Sequence, residues 1–117
     1  MIELAFSKEE IDHKFRDTVQ KKVFRQFKKN PDLNACLYLI GIRELGQARE
    51  KFSKEEKQDL MHIAICKLLS ELGYYSLEGL DADGWPHWIA VKTFPKISID
   101  EQEYLLKQQI IRYFDTL

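Results

Sequence analysis

The chain has 117 residues, of which 44% are apolar, 32% charged and 12% aromatic, with five Gly and three Pro. This mixture excludes collagen-like, low-complexity and disordered classes, and it fits one globular domain over 1–117, since chains of about 100–150 residues sit at the commonest domain size. With 18 Lys+Arg against 19 Asp+Glu, the formal charge of −1 supplies no global field to draw the chain onto nucleic acid or an anionic bilayer.

The first element opens at Ser7, which with Glu10 forms a capping-box pattern, and Phe6 stands at the staple position before it. Ile11, Phe15, Val19, Val23 and Phe27 then recur every fourth residue, the spacing of an amphipathic helix. A helix over about 8–29 is predicted, stopped by Asn30-Pro31, with Asp17-Thr18 as the place for a break. The second helix, about 34–46, is apolar nearly all round and is expected to be the most buried. Asp32 or Asn34 is its cap and Gly46 its stop. Gly41 inside it costs about 1 kcal/mol relative to Ala, and a neighbouring helix in close approach would explain it.

Ser53 and Glu56 form a second capping box, with Phe52 at the staple position and Gly73 closing a helix over about 54–72. Met61, Ile65, Leu68 and Leu72 make its main apolar stripe, flanked by Leu60, Ala64 and Leu69. After Gly73 the aromatic and β-branched content suits strands, over about 74–80 and 87–94. Asp81-Ala82-Asp83-Gly84 between them is turn chemistry, and Pro86 keeps the second strand's start on an edge or outside the ladder. A last helix, about 100–116, starts from Ser98 or Asp100 and carries Leu106, Ile110, Tyr113, Phe114 and Leu117 on one face. The fold class is α+β, mostly α: four helices with one β-hairpin between the third and the fourth.

Cys36 and Cys66 sit in apolar company and make no disulfide framework, which fits a reducing, cytoplasmic compartment. Met1 to Phe6 has neither the basic nor the apolar region of a signal peptide. The longest apolar stretch, Ala35 to Ile42, is far short of the ~20 residues needed to cross a bilayer, so no membrane association is expected.

Charge is unevenly spread. Between Lys14 and Lys29 stand seven basic residues and one acid, Asp17. Lys14, Lys21, Arg25 and Lys28 fall together opposite the Phe15/Val19 face, either as a contact surface for anions or as a solvated outer face. From Glu71 to Glu103 seven acids face only Lys92 and Lys96. Opposite poles on one small domain suit head-to-tail or isologous self-association, and equally no association at all.

The passage Leu68-Leu69-Ser70-Glu71-Leu72-Gly73-Tyr74-Tyr75, followed by a turn at Asp83-Gly84, resembles the end of a recognition helix leading into a wing. Over roughly Leu33 to Phe94 the order of elements is similar to a winged helix-turn-helix domain, which implies DNA binding by the third helix and the wing. The charges oppose that function. The third helix sets Lys54, Lys57 and Lys67 against Glu55, Glu56, Asp59 and Glu71, and the wing tip is acidic, where phosphate contacts need cations.

Asp59, His62 and Cys66 share one side of the third helix. A His–Cys pair four residues apart can offer two ligands to zinc, but a closed site needs two more. The plainer reading is a core Cys beside a partly exposed His, with Asp59 as the hydrogen-bond partner of that His. As a thiolate nucleophile with its base, the trio lacks an oxyanion loop. Asp81 and Asp83 imitate part of an EF-hand, yet placing Gly84 sixth puts Gly79 first and Ala90 twelfth, so two essential carboxylates are missing. Tyr74, Tyr75, Asp81, Asp83, Trp85, His87 and Trp88 remain as the most distinctive cluster. They suit either an aromatic recognition surface or the packing of the hairpin onto helices. No catalytic set and no cofactor motif is legible. The expectation is a non-catalytic, self-associating protein-interaction domain, with a winged-helix DNA-binding protein, or a small metal protein or enzyme built on Asp59, His62 and Cys66, as alternatives.

Overall fold

The computed structural model describes residues 4–19, 21, 32–47, 49 and 51–117. Its elements are α1 (Lys8–Thr18), α2 (Leu33–Leu45), α3 (Lys54–Ser70), β1 (Tyr75–Leu80), β2 (Pro86–Ala90) and α4 (Ile99–Asp115). The chain is mostly helical, with the hairpin between the third and fourth helices. These elements fall into two compact units, one of residues 1–33 with 94–117 and the other of residues 34–93.

Local chemistry explains the helix starts. Ser7 and Glu10 close a reciprocal capping box, as do Ser53 and Glu56. Ser98 rather than Asp100 caps α4, accepting from the Glu101 N–H at 3.1 Å. The α2 helix begins at Leu33, which puts Asp32 at the cap position. Gly46, with positive φ, directly follows α2. In contrast, α3 ends at Ser70 with Glu71 as its C-cap, so Gly73, expected to close that helix, stands three residues beyond its end in the turn that leads to β1. Regular α geometry in α1 stops at Thr18, and the remainder of the predicted helix, including Val23, Phe27 and Asn30-Pro31, lies outside the described residues apart from Val19 and Lys21.

In the first unit α1 packs on α4. Ile11, Phe15 and Val19 bury against a set that includes Leu105, Ile110, Ile111 and Phe114. The buried face of α4 differs from the predicted one. Gln108 and Gln109 are buried, while Leu106 and Tyr113 are only half-buried and Leu117 is exposed. Polar satisfaction is the reason: the Ala5 N–H donates to Gln108 Oε1 at 2.7 Å, and Gln108 Nε2 donates to Gln109 Oε1 at 3.3 Å, which lets amides occupy core positions. At the rim, Asp12 accepts from Tyr104 Oη at 2.9 Å and from Lys107 Nζ at 3.3 Å. Burial by itself would raise the Asp12 carboxyl, but these two hydrogen bonds outweigh it and hold the group below its usual value.

In the second unit α3 packs on both strands. The buried side of α3 is Leu60, Ile63, Ala64, Cys66, Leu68 and Leu69, whereas Met61, Ile65 and Leu72 are half-buried. The stripe is thus rotated from the predicted one toward its flanking residues. Gly41 fixes the closest approach of α2 to α3: a Cβ there would overlap the Leu60 carbonyl, lying 2.6 Å from its carbon. Phe52, at the staple position of α3, buries instead with Leu45 and Leu60, and Tyr38, Ile42 and Trp85 pack around them. Arg49 stacks on Phe52 at 4.6 Å and pairs with Glu56 Oε2 at 2.7 Å.

The Arg49 hydrogen bond, followed by the Ser53 N–H, holds the Glu56 carboxyl down at about 2 against an ordinary 4.5. A carboxylate depressed on folding stabilises above its unfolded value and loses that contribution as pH falls toward the folded one. Thermal midpoints should therefore drop in wild type as pH falls from 4.5 toward about 2, and Glu56→Gln should flatten the drop in that window.

The strands pair antiparallel, Tyr75 with Ala90, Ser76 with Ile89 and Leu77 with Trp88; a bulge at Glu78 then resets the ladder to Gly79 with His87 and Leu80 with Pro86. The second strand ends at Ala90, short of the predicted 94. Beyond it Lys92 turns back, its Nζ donating to Leu72 O at 3.3 Å and lying 4.2 Å from the Tyr74 ring centroid.

Candidate functional site

The hairpin is organised by one carboxylate. Asp81 Oδ1 accepts from the backbone N–H groups of Asp83 at 2.9 Å and Trp85 at 3.0 Å, and Oδ2 lies 2.9 Å from His87 Nε2. The Asp81 N–H donates to Trp85 O, and the Gly84 N–H to Asp81 O, closing the turn with Gly84 at φ +84°. That left-handed position is open to Gly at no steric cost. His87 first, then the two backbone donors, hold the Asp81 carboxyl below its usual value. Gln47 Nε2 donates to Asp83 O at 2.7 Å, tying the tip to the loop after α2. Replacing Asp81 with Ala should speed amide exchange at Asp83 and Trp85 while leaving helical circular dichroism unchanged.

The predicted cluster divides into two sides. Trp85 meets Phe52 edge-to-face at 6.5 Å and is half-buried, so it packs the tip onto the helices. Tyr74, Tyr75 and Trp88 are also half-buried. Trp88 Nε1 is shielded from solvent and has no hydrogen-bond partner among the described residues. Asp81, Asp83 and His87 are exposed. Sequence reasoning missed the apolar side chains left open on the same hairpin: Leu77 is 51%, Leu80 67%, Ile89 45% and Val91 56% exposed. The aromatic and β-branched content that marked the strands was legible, but not the fact that these side chains stay exposed.

The third helix brings together only two of its three candidates. His62 is exposed, Cys66 is buried, and Cys66 Sγ lies 3.5 Å from His62 Nε2. Asp59, one turn earlier, is exposed and stands outside the pair. Burial pushes the Cys66 thiol up to about 11, which opposes a thiolate nucleophile. Cys66 should accordingly resist alkylation at pH 8 in the folded protein and react once urea is added, as peptide mass spectrometry would record. Among the described residues no group of three or more His, Cys, Asp or Glu side chains is placed to hold a metal ion.

Of the basic face, Lys14 and Lys21 are exposed. Lys14 Nζ sits 5.0 Å from the Phe6 ring centroid, and Lys21 pairs with Asp17 at 3.3 Å. Arg25 and Lys28 lie outside the described residues. The exposed positions of α3 carry mixed charge, with Lys54, Glu55, Lys57 and Asp59 all open to solvent. Among the described residues no helix is long and apolar enough to cross a membrane. No protein-family model, no curated protein and no solved structure matches this chain.

Proposed function

We propose that this chain is a non-catalytic interaction domain that associates with itself through its β-hairpin. The observation that carries the reading is the set Leu77, Leu80, Ile89 and Val91, four large apolar side chains exposed on a single hairpin. Scattered exposed apolar residues are ordinary, whereas a concentration on one element marks an interaction surface. A two-stranded sheet is marginal by itself and gains from a further partner, and among the described residues no third strand pairs with either edge. Tyr74, Tyr75, Trp85 and Trp88 give the hairpin a stiff aromatic base, and Asp81, Asp83 and His87 give it a polar rim, the usual anatomy of an interface. Cys36 and Cys66, both buried and not joined in a disulfide, suit a reducing, cytoplasmic compartment.

Light scattering of the full chain over a range of concentrations tests the proposal. A mass rising from one chain to two supports it, and one chain at every concentration overturns it. Duplex DNA retarded at low salt and released at high salt would instead favour the winged-helix alternative.

A further inference from the structure

Resting on that self-association, we infer that the occupant of the hairpin is a second copy of this chain, joined β2 to β2 across a two-fold axis at Ile89 to make a four-stranded antiparallel sheet. The backbone polarity of β2 follows from two hydrogen bonds: the Asp81 N–H donates to Trp85 O at 2.9 Å and the Val91 N–H donates to Tyr74 O at 3.0 Å. Inward and outward groups alternate along an antiparallel strand. Trp85, His87, Ile89 and Val91 thus turn their backbone toward β1, and Trp88 and Ala90 turn theirs to the open edge.

Those two residues define a self-complementary register. Trp88 of each copy exchanges hydrogen bonds with Ala90 of the other, which places Ile89 opposite Ile89 and His87 opposite Val91. Pro86, which has no N–H to offer, falls at the end of the new ladder. The register sets no like charges face to face along the strand, because 86–91 holds no Lys, Arg, Asp or Glu. It also places Lys92 opposite Pro86 of the second copy, next to the turn that carries exposed Asp83. In the dimer the Lys92 ammonium exchanges Leu72 O and the Tyr74 ring for the second copy's Asp83 carboxylate, a complementary contact made twice by symmetry.

The two edges of the hairpin differ in the way this requires. The β1 edge is guarded by the bulge at Glu78 and by that residue's charge, both common protections against edge pairing. Among the described residues the β2 edge has no such guard. Its nearest cation, Lys92, is folded back onto Tyr74 and Leu72 O.

Sedimentation velocity on the full chain tests the register with Ile89→Lys and Leu77→Lys, both at exposed positions, and helical circular dichroism checks folding. Ile89→Lys sets two ammonium groups opposite each other and is expected to weaken the dimer about tenfold or more, with Leu77→Lys staying close to wild type. In parallel, Ile89→Cys is expected to cross-link to its own copy under mild oxidation, and Leu77→Cys and wild type are not. A dimer that survives Ile89→Lys, dissociates with Leu77→Lys and gives no Ile89→Cys cross-link overturns the register while leaving self-association standing. A wild-type monomer removes both.

Discussion

Replacing Gly41 with alanine is expected to destabilise the protein by about 3 kcal/mol or more, although alanine is the better helix former by about 1 kcal/mol. The added methyl would meet the Leu60 carbonyl carbon at 2.6 Å and the Leu60 Cβ at 2.9 Å, and it would overlap the carbonyl oxygen itself. A flexible side-chain end can swing aside at small cost. Backbone in the middle of α3 cannot, because Leu60 and Ala64 are fully buried and hold that stretch in place. Relief requires α2 and α3 to separate, which opens the packing of Ile40, Leu45 and Leu60. Against a total stability of about 5–15 kcal/mol, such a loss is a large fraction. Urea denaturation followed by circular dichroism checks it. A Gly41→Ala midpoint equal to or above wild type would show that the two helices do not meet as closely as described.

Phe52→Ala is expected to cost about 3–5 kcal/mol, the range for removing a buried aromatic ring. Phe52 joins three parts of its unit. It clusters with Leu45 at the end of α2 and Leu60 in α3. It meets the Tyr38 ring edge-to-face at 6.3 Å and the Trp85 ring at 6.5 Å. The Arg49 guanidinium covers it at 4.6 Å. Truncation leaves a cavity beneath the hairpin tip and removes the surface on which Trp85 rests. Two readouts separate these effects: the chemical denaturation midpoint reports the cavity, and a red shift of tryptophan emission in the native state reports the loosened tip. Phe52→Leu, which keeps most of the apolar volume, should lose less than half as much stability as Phe52→Ala.

Gly41 shows how much a single residue can disclose. A glycine inside an otherwise apolar helix was the mark of a close neighbour, and that neighbour is the backbone at Leu60. The starts of α1 and α3 were equally legible, and that of α4 was narrowed to Ser98 or Asp100. Ser7, Ser53 and Ser98 each precede a glutamate by three residues, and all three serine side chains accept from the backbone N–H of that glutamate. Caps are local chemistry, decided within four residues, so sequence contains everything they need.

Rotation of a helix about its own axis is different. In α3 the apolar residues spread widely enough that several faces could point inward, and α2 together with the hairpin selects Leu60, Ile63, Cys66 and Leu69 over Met61 and Ile65. In α4 apolar counting could not find Gln108 and Gln109, because an amide is tolerated inside only where a partner waits, and one partner is the Ala5 N–H about a hundred residues away along the chain. The hairpin site shows the same division. Its turn was readable from Asp81, Asp83 and Gly84, but the choice of Trp85 for the interior and of Leu77, Leu80, Ile89 and Val91 for the surface was not.

Sequence alone therefore determined the element types, their order, the capping serines of α1 and α3 and the acidic turn, all of which depend on neighbours within a few positions. Tertiary structure decided which helix faces are buried, that burial raises the Cys66 thiol, and which hairpin side chains stay exposed. The physical reason is that burial is a property of what lies opposite in space, and residues opposite in space are distant in sequence.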